Sequence, residues 1–151
     1  MIKSKILEYI QGQLLHYGIL KNSDKFIYVD VDNEYIHKLI SFIQDDGFIE
    51  PPYFGTSDLV GAHISVIYQE EMGKYNLDEI KECGNTISFI PKGCQIIRPV
   101  SWPEMEQVCF IVVESPELDR IRKKYGLPKG EHEFHITIGV KPLPESDFEF
   151  I

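Results

Sequence analysis

The chain is short of positive charge. Fifteen lysines and arginines face 24 aspartates and glutamates among 151 residues, a net charge of −9. That balance opposes a long polyanion, whose binding needs many phosphate-neutralising side chains. It still allows a small phosphate substrate, because a local basic patch can focus the field. Long apolar runs are missing too: none reaches the roughly 18 residues of a membrane span. Glu8 and Gln11 interrupt the N-terminal apolar residues, so no secretory signal is expected. Cysteine is scarce. Cys83, Cys94 and Cys109 are odd in number and lack paired metal-ligand spacing, which favours reduced thiols and a cytoplasmic setting. No Gly-x-x-x-x-Gly-Lys-Ser/Thr loop is present to cradle a nucleotide phosphate.

What is there is an ordinary globular pattern, 43% hydrophobic, enough for one domain with a real core. Ile6, Leu7, Ile10, Leu14 and Leu15 predict a helix within residues 1–20, ending near Gly18. Residues 25–31 read as a strand. Residues 33–46 read as a helix, capped by Asn33 and stopped by Gly47. A Pro- and Gly-bearing loop covers 49–60, followed by a strand at 61–68. Short strands are expected at 85–90 and 94–98, around a bend at Pro91-Lys92-Gly93. Residues 106–113 form a strongly apolar strand. Ser115 then caps a helix with Pro116 at its first position, and Gly126 ends it. Residues 133–140 are a further strand.

Two stretches repeat this order: strand 25–31, helix 33–46, strand 61–68, then strand 106–113, helix 115–125, strand 133–140. Each unit needs a sheet partner to bury its apolar strand and helix, so the two are expected to share one core. The third element of each carries a near-identical motif, His63-Ile64-Ser65 and His135-Ile136-Thr137. Side chains two apart in a strand share a face. Each motif therefore presents an imidazole and a hydroxyl together. One histidine can take a proton and the other give one, while the hydroxyls hold non-bridging phosphoryl oxygens. No carboxylate or cysteine joins either histidine at a familiar ligand spacing, so no metal or other cofactor is expected.

In these two motifs, about seventy positions apart at the ends of matching units, the chain resembles the 2H phosphoesterases. The resemblance covers roughly residues 25–140. It implies an α+β fold of two pseudo-symmetric antiparallel-sheet lobes, about 25–90 and 94–141, with helices outside and a central groove, within one domain. It also implies metal-independent phosphodiester chemistry on a short or cyclic oligonucleotide, a short RNA or a 2',3'-cyclic phosphate, with His63 and His135 as general acid and base and Ser65 and Thr137 as phosphate ligands. Serine in the first motif keeps the hydroxyl and loses the β-branch that stiffens a strand residue. A non-catalytic RNA- or nucleotide-binding module is the alternative.

Other candidates are peripheral. Tyr53 and Trp102 lie in Pro-rich loops where an aromatic ring can stack on a base, and Lys92 and Arg98 are candidate phosphate contacts. His132 reads as a loop residue, and His16 and His37 as packing or helix-surface residues. Tyr68, at an odd offset from His63, belongs on the core face unless the strand bends. Arg120, Arg122, Lys123, Lys124 and Lys129 read mainly as a solvated helix face. The expected state is a monomer.

Overall fold

A computed structural model describes residues 2–51, 60–100, 102–130 and 133–144. The chain forms α1 (Ile2–Gln13), β1 (Tyr17–Ser23), β2 (Phe26–Asp30), a short α2 (Glu34–His37), β3 (His63–Ile67), α3 (Gln69–Lys74), β4 (Thr86–Ser88), β5 (Ile90–Ile97), β6 (Met105–Glu114), α4 (Pro116–Lys124) and β7 (His135–Pro142). The strands make one antiparallel sheet in the order β4-β1-β2-β3-β7-β6-β5. The α+β architecture is thus present, and its two halves meet edge to edge where β3 pairs with β7.

Several elements differ from the sequence expectation. β1 was hidden in a stretch read as helical. Gly18 does not end a helix; it sits inside β1, where a Cβ would run into the Asp30 carbonyl and the Val29 side chain. The helix expected over 33–46 breaks after His37 into two 3₁₀ turns, Ile40–Phe42 and Gln44–Asp46. A 3₁₀ turn eclipses residues i and i+3. Ile40 and Ile43 accordingly reach the same spot, closing on Gly139 of β7, where no Cβ stands in the way. Gly47 ends the segment at φ 94°, as a left-handed terminator should. Pro91-Lys92-Gly93 is not a turn between neighbouring strands. It is a bulge within β5, where the pairing with β6 skips from Pro91 to Gly93.

β4 and β5 are separated only by Phe89, yet they form opposite edges of the sheet. The sheet must therefore curl until its edges meet at that residue. Leu20, Val29, Ile64, Ile136, Ile111 and Phe89 fall into one core cluster, so the two halves do not pack independently. The helical segments lock them further, because each crosses over. The α2 segment from the first unit packs on β7 of the second, and α4 from the second packs on β3 and β4 of the first. Ser115 caps α4 by accepting from the Leu118 N–H at 3.3 Å, and its hydroxyl donates to the Ser88 carbonyl at 2.8 Å. No described helix is long and apolar enough to cross a membrane.

One member of the basic cluster is no solvated residue. Arg122 is 5% exposed. Its Nη1 donates to the Val66 carbonyl at 2.8 Å and to Glu71 Oε1 at 2.9 Å. Its Nη2 donates to Glu71 Oε2 at 2.7 Å and to the Pro128 carbonyl at 2.7 Å. The guanidinium fork thus ties α4 to the end of β3 and the start of α3. Removing the guanidinium leaves the buried Val66 carbonyl and the partly exposed Glu71 carboxylate without their donor. Arg122→Met is expected to lower the unfolding free energy by about 2 kcal/mol in denaturant titration. The Arg122 hydrogen bonds hold the Glu71 carboxyl below its ordinary value of 4.5. That contribution is present above pH 4.5 and lost as pH falls through the lower folded value. The wild type should therefore lose this increment below pH 4.5, and the variant should show no such loss.

Candidate functional site

The site is built at the seam between the halves. Ile64 of β3 lies across from Ile136 of β7, and both point into the core. In an antiparallel pair this sets His63 opposite Thr137 and Ser65 opposite His135, all four on the other face. The histidines occupy one diagonal and the hydroxyls the other, about 7–8 Å apart. A local two-fold passes between the isoleucines. The sheet thus brings together all four motif residues.

Each imidazole is fixed the same way. His63 Nδ1 bonds the Gly61 carbonyl at 2.8 Å, and His135 Nδ1 bonds the Glu133 carbonyl at 2.8 Å. A carbonyl only accepts, so Nδ1 carries the proton and Nε2 bears the lone pair of the neutral ring. On the first side the anchor continues outward. The Asn33 side chain does not cap α2; its Oδ1 accepts from the Ala62 N–H at 3.0 Å. A Cβ on Gly61 would collide with that same oxygen, so glycine is required for the approach. Asn33 and Gly61 together set the entry of β3 into the site.

Neighbouring strands complete the face. Asp30 of β2 lies across from His63, and Tyr28 across from Ser65. Phe110 of β6 lies across from Thr137 and Val112 across from His135. Aromatic rings surround His63: Phe26 at 5.8 Å and Tyr28 at 5.9 Å, both edge-on, with Phe26 stacked on Tyr28 at 5.3 Å. Phe110 stands 5.0 Å from His135. Lys21 of β1 donates to Asp30 Oδ2 at 2.7 Å. Burial pushes the His63 pKa below its ordinary 6.5, His135 adds to that shift, and the Gly61 carbonyl and Asp30 oppose it. The His63 ring is therefore neutral at pH 7.

Phe26, Tyr28, Asp30, Lys21 and Phe110 escaped the sequence reading. The signal was the i, i+2 alternation of Phe26, Tyr28 and Asp30, but nothing local says which face meets the histidines. Of the peripheral candidates, Lys92 is on the β5 bulge at the sheet edge, two strands from β7. Arg98 follows β5 and lines a shallow cavity with Pro99, Val100, Pro103 and Met105. Trp102 is in the turn between β5 and β6. None of the three shares a cross-strand row with the motif residues. Tyr53 and His132 lie outside the described residues. His16 bonds the Ile10 carbonyl at 3.0 Å, and His37 lies 3.6 Å from Glu50.

Paired histidines and hydroxyls at the ends of two like units are the arrangement of a phosphoesterase of the two-histidine class. A family model described as the Swiss Army Knife 2H phosphoesterase domain matches residues 27–144, and the chain belongs to that family. No curated protein and no solved structure matches it. A phosphoesterase function follows at this level of generality.

The geometry leads to a titration prediction. The His63 ring should titrate below 6.5 when followed by the NMR shift of its Cε1 proton. Gly61→Ala should move that resonance and the Ala62 amide together, since the new methyl group displaces Asn33. An unshifted Ala62 amide in that variant would contradict the anchor.

Proposed function

We propose that the protein is a metal-independent phosphodiesterase acting on short or cyclic oligonucleotides, or on 2',3'-cyclic phosphates, through His63 and His135. The observation that carries this reading is the paired arrangement of two imidazoles, each with its Nδ1 proton held on a backbone carbonyl, diagonal to two hydroxyls. A phosphorus between them has a proton acceptor on one side and a donor on the other, as in-line displacement requires.

His63, neutral at pH 7 because of its burial, suits the base that takes the proton from the attacking water or ribose hydroxyl. His135, in its protonated form, then delivers a proton from Nε2 to the leaving oxygen. In the reverse direction the roles exchange. Ser65 and Thr137 donate to the non-bridging oxygens as charge develops on them. The partly exposed rings of Phe26 and Phe110 favour a substrate bearing bases, which stack on aromatic faces. The charge of −9 favours a short or cyclic molecule over a long duplex. Lys92, Arg98 and Trp102, on the β5 side, are candidates for the far end of a longer substrate, and Tyr53 remains a candidate for base contact. A cytoplasmic monomer acting on cellular or signalling nucleotides fits this reading.

Purified protein in EDTA should turn over at least one member of a panel of 2'-5' and 3'-5' oligonucleotides, 2',3'-cyclic nucleotides and cyclic di- and trinucleotides. His63→Ala and His135→Ala should each lower kcat by about 10³-fold with the fold intact. Ser65→Ala and Thr137→Ala should cost less, about 10- to 100-fold. The acid limb of kcat/KM should fall below pH 6.5. Full turnover by both single histidine variants would sink the mechanism. Activity lost in EDTA and restored by one divalent ion would overturn the metal-free claim. Binding without turnover across the panel would favour a nucleotide-binding module.

A further inference from the structure

The two-histidine reading uses two hydroxyls, and a third stands next to one of them. Strict alternation along β3 would bury Tyr68 beside Val66. The strand bends instead. The β2–β3 pairing runs Tyr28 with Ser65 and then Ile27 with Ile67, so one extra residue is inserted on β3. Val66 and Ile67 are consequently both buried, and Tyr68 emerges 40% exposed. Its ring lies 6.4 Å from that of Phe26, which also flanks His63, so Tyr68 belongs to the site face.

The bend is held from behind. Arg122 grips the Val66 carbonyl inside the bulge, and Glu71, bound to the same guanidinium, accepts from the Tyr68 N–H at 3.1 Å. The Arg122–Glu71 ion pair thus sets the direction in which Tyr68 leaves the strand. Burial raises the phenol pKa above its ordinary 10, so the group keeps its proton at neutral pH. A protonated phenol, like a serine hydroxyl, can donate to a phosphoryl oxygen.

We propose that Tyr68 is a further substrate-contacting residue of this site, its phenol donating to a non-bridging phosphoryl oxygen. This rests on the two-histidine reading. The Arg122–Glu71 pair is its positioning support and touches no substrate.

Tyr68→Phe keeps the ring against Phe26 and removes only the hydroxyl. With the panel member that the wild type turns over fastest, kcat should fall about tenfold while KM changes less than about twofold, the mark of an interaction made in the transition state. Tm should stay within a degree of wild type. Wild-type turnover with an unaltered Tyr68→Phe variant would overturn this proposal alone. No turnover of any panel member by the wild type would overturn the two-histidine reading, and this proposal with it.

Discussion

The pairing of β3 with β7 is the constraint on which the rest of the molecule depends. It joins two strand-helix-strand units into a seven-stranded sheet and sets Ile64 against Ile136. With that register, two isoleucines enter the core and two histidines and two hydroxyls meet on the open face. A slip of one residue on either strand would exchange these sets, burying an imidazole and exposing an isoleucine. The ladder at the seam is short, so the register is defended elsewhere. Asn33 holds the chain just before His63, and Arg122 holds it just after Ser65. The crossing helical segments make each half depend on the other for burial, which prevents the seam from opening without unfolding the core.

The polar groups around the seam divide into structural and chemical sets. The backbone carbonyls of Gly61 and Glu133 fix the tautomer of each imidazole, a task that costs the protein no side chain. Arg122, although a cation near a phosphate-type site, is fully engaged with Glu71, Val66 and Pro128. Its charge is spent on architecture. The open face at the seam therefore carries hydroxyls, imidazoles and aromatic rings, with Lys21 already on Asp30.

Much of this was legible because its signals are local. Alternation within His63-Ile64-Ser65 and His135-Ile136-Thr137 is a property of three residues, and the backbone enforces it wherever the strand lies. Ser115 with Pro116, and the glycines at 47 and 126, ended or began elements for reasons equally short in range. The errors fell where a distant contact overrode a local preference. Residues 33–46 have a helical apolar pattern, but Ile40 and Ile43 must both reach Gly139, and a 3₁₀ turn serves that better. Asn33 looked like a helix cap, and its oxygen is taken by Ala62. Arg122 sat among exposed basic residues, and only the fold places Glu71 within reach of it.

The amino-acid sequence by itself determined the two motifs and the repeat: two imidazole-hydroxyl pairs, each at the end of a like unit, with an isoleucine between them to hold each pair on one side of its strand. The tertiary structure alone decided how the pairs face each other, which aromatic and acidic side chains join them, and that Tyr68 turns toward the site. The reason is physical. Alternation follows from the pleat of one strand, whereas register, bulges and the crossing of helices depend on partners far along the chain.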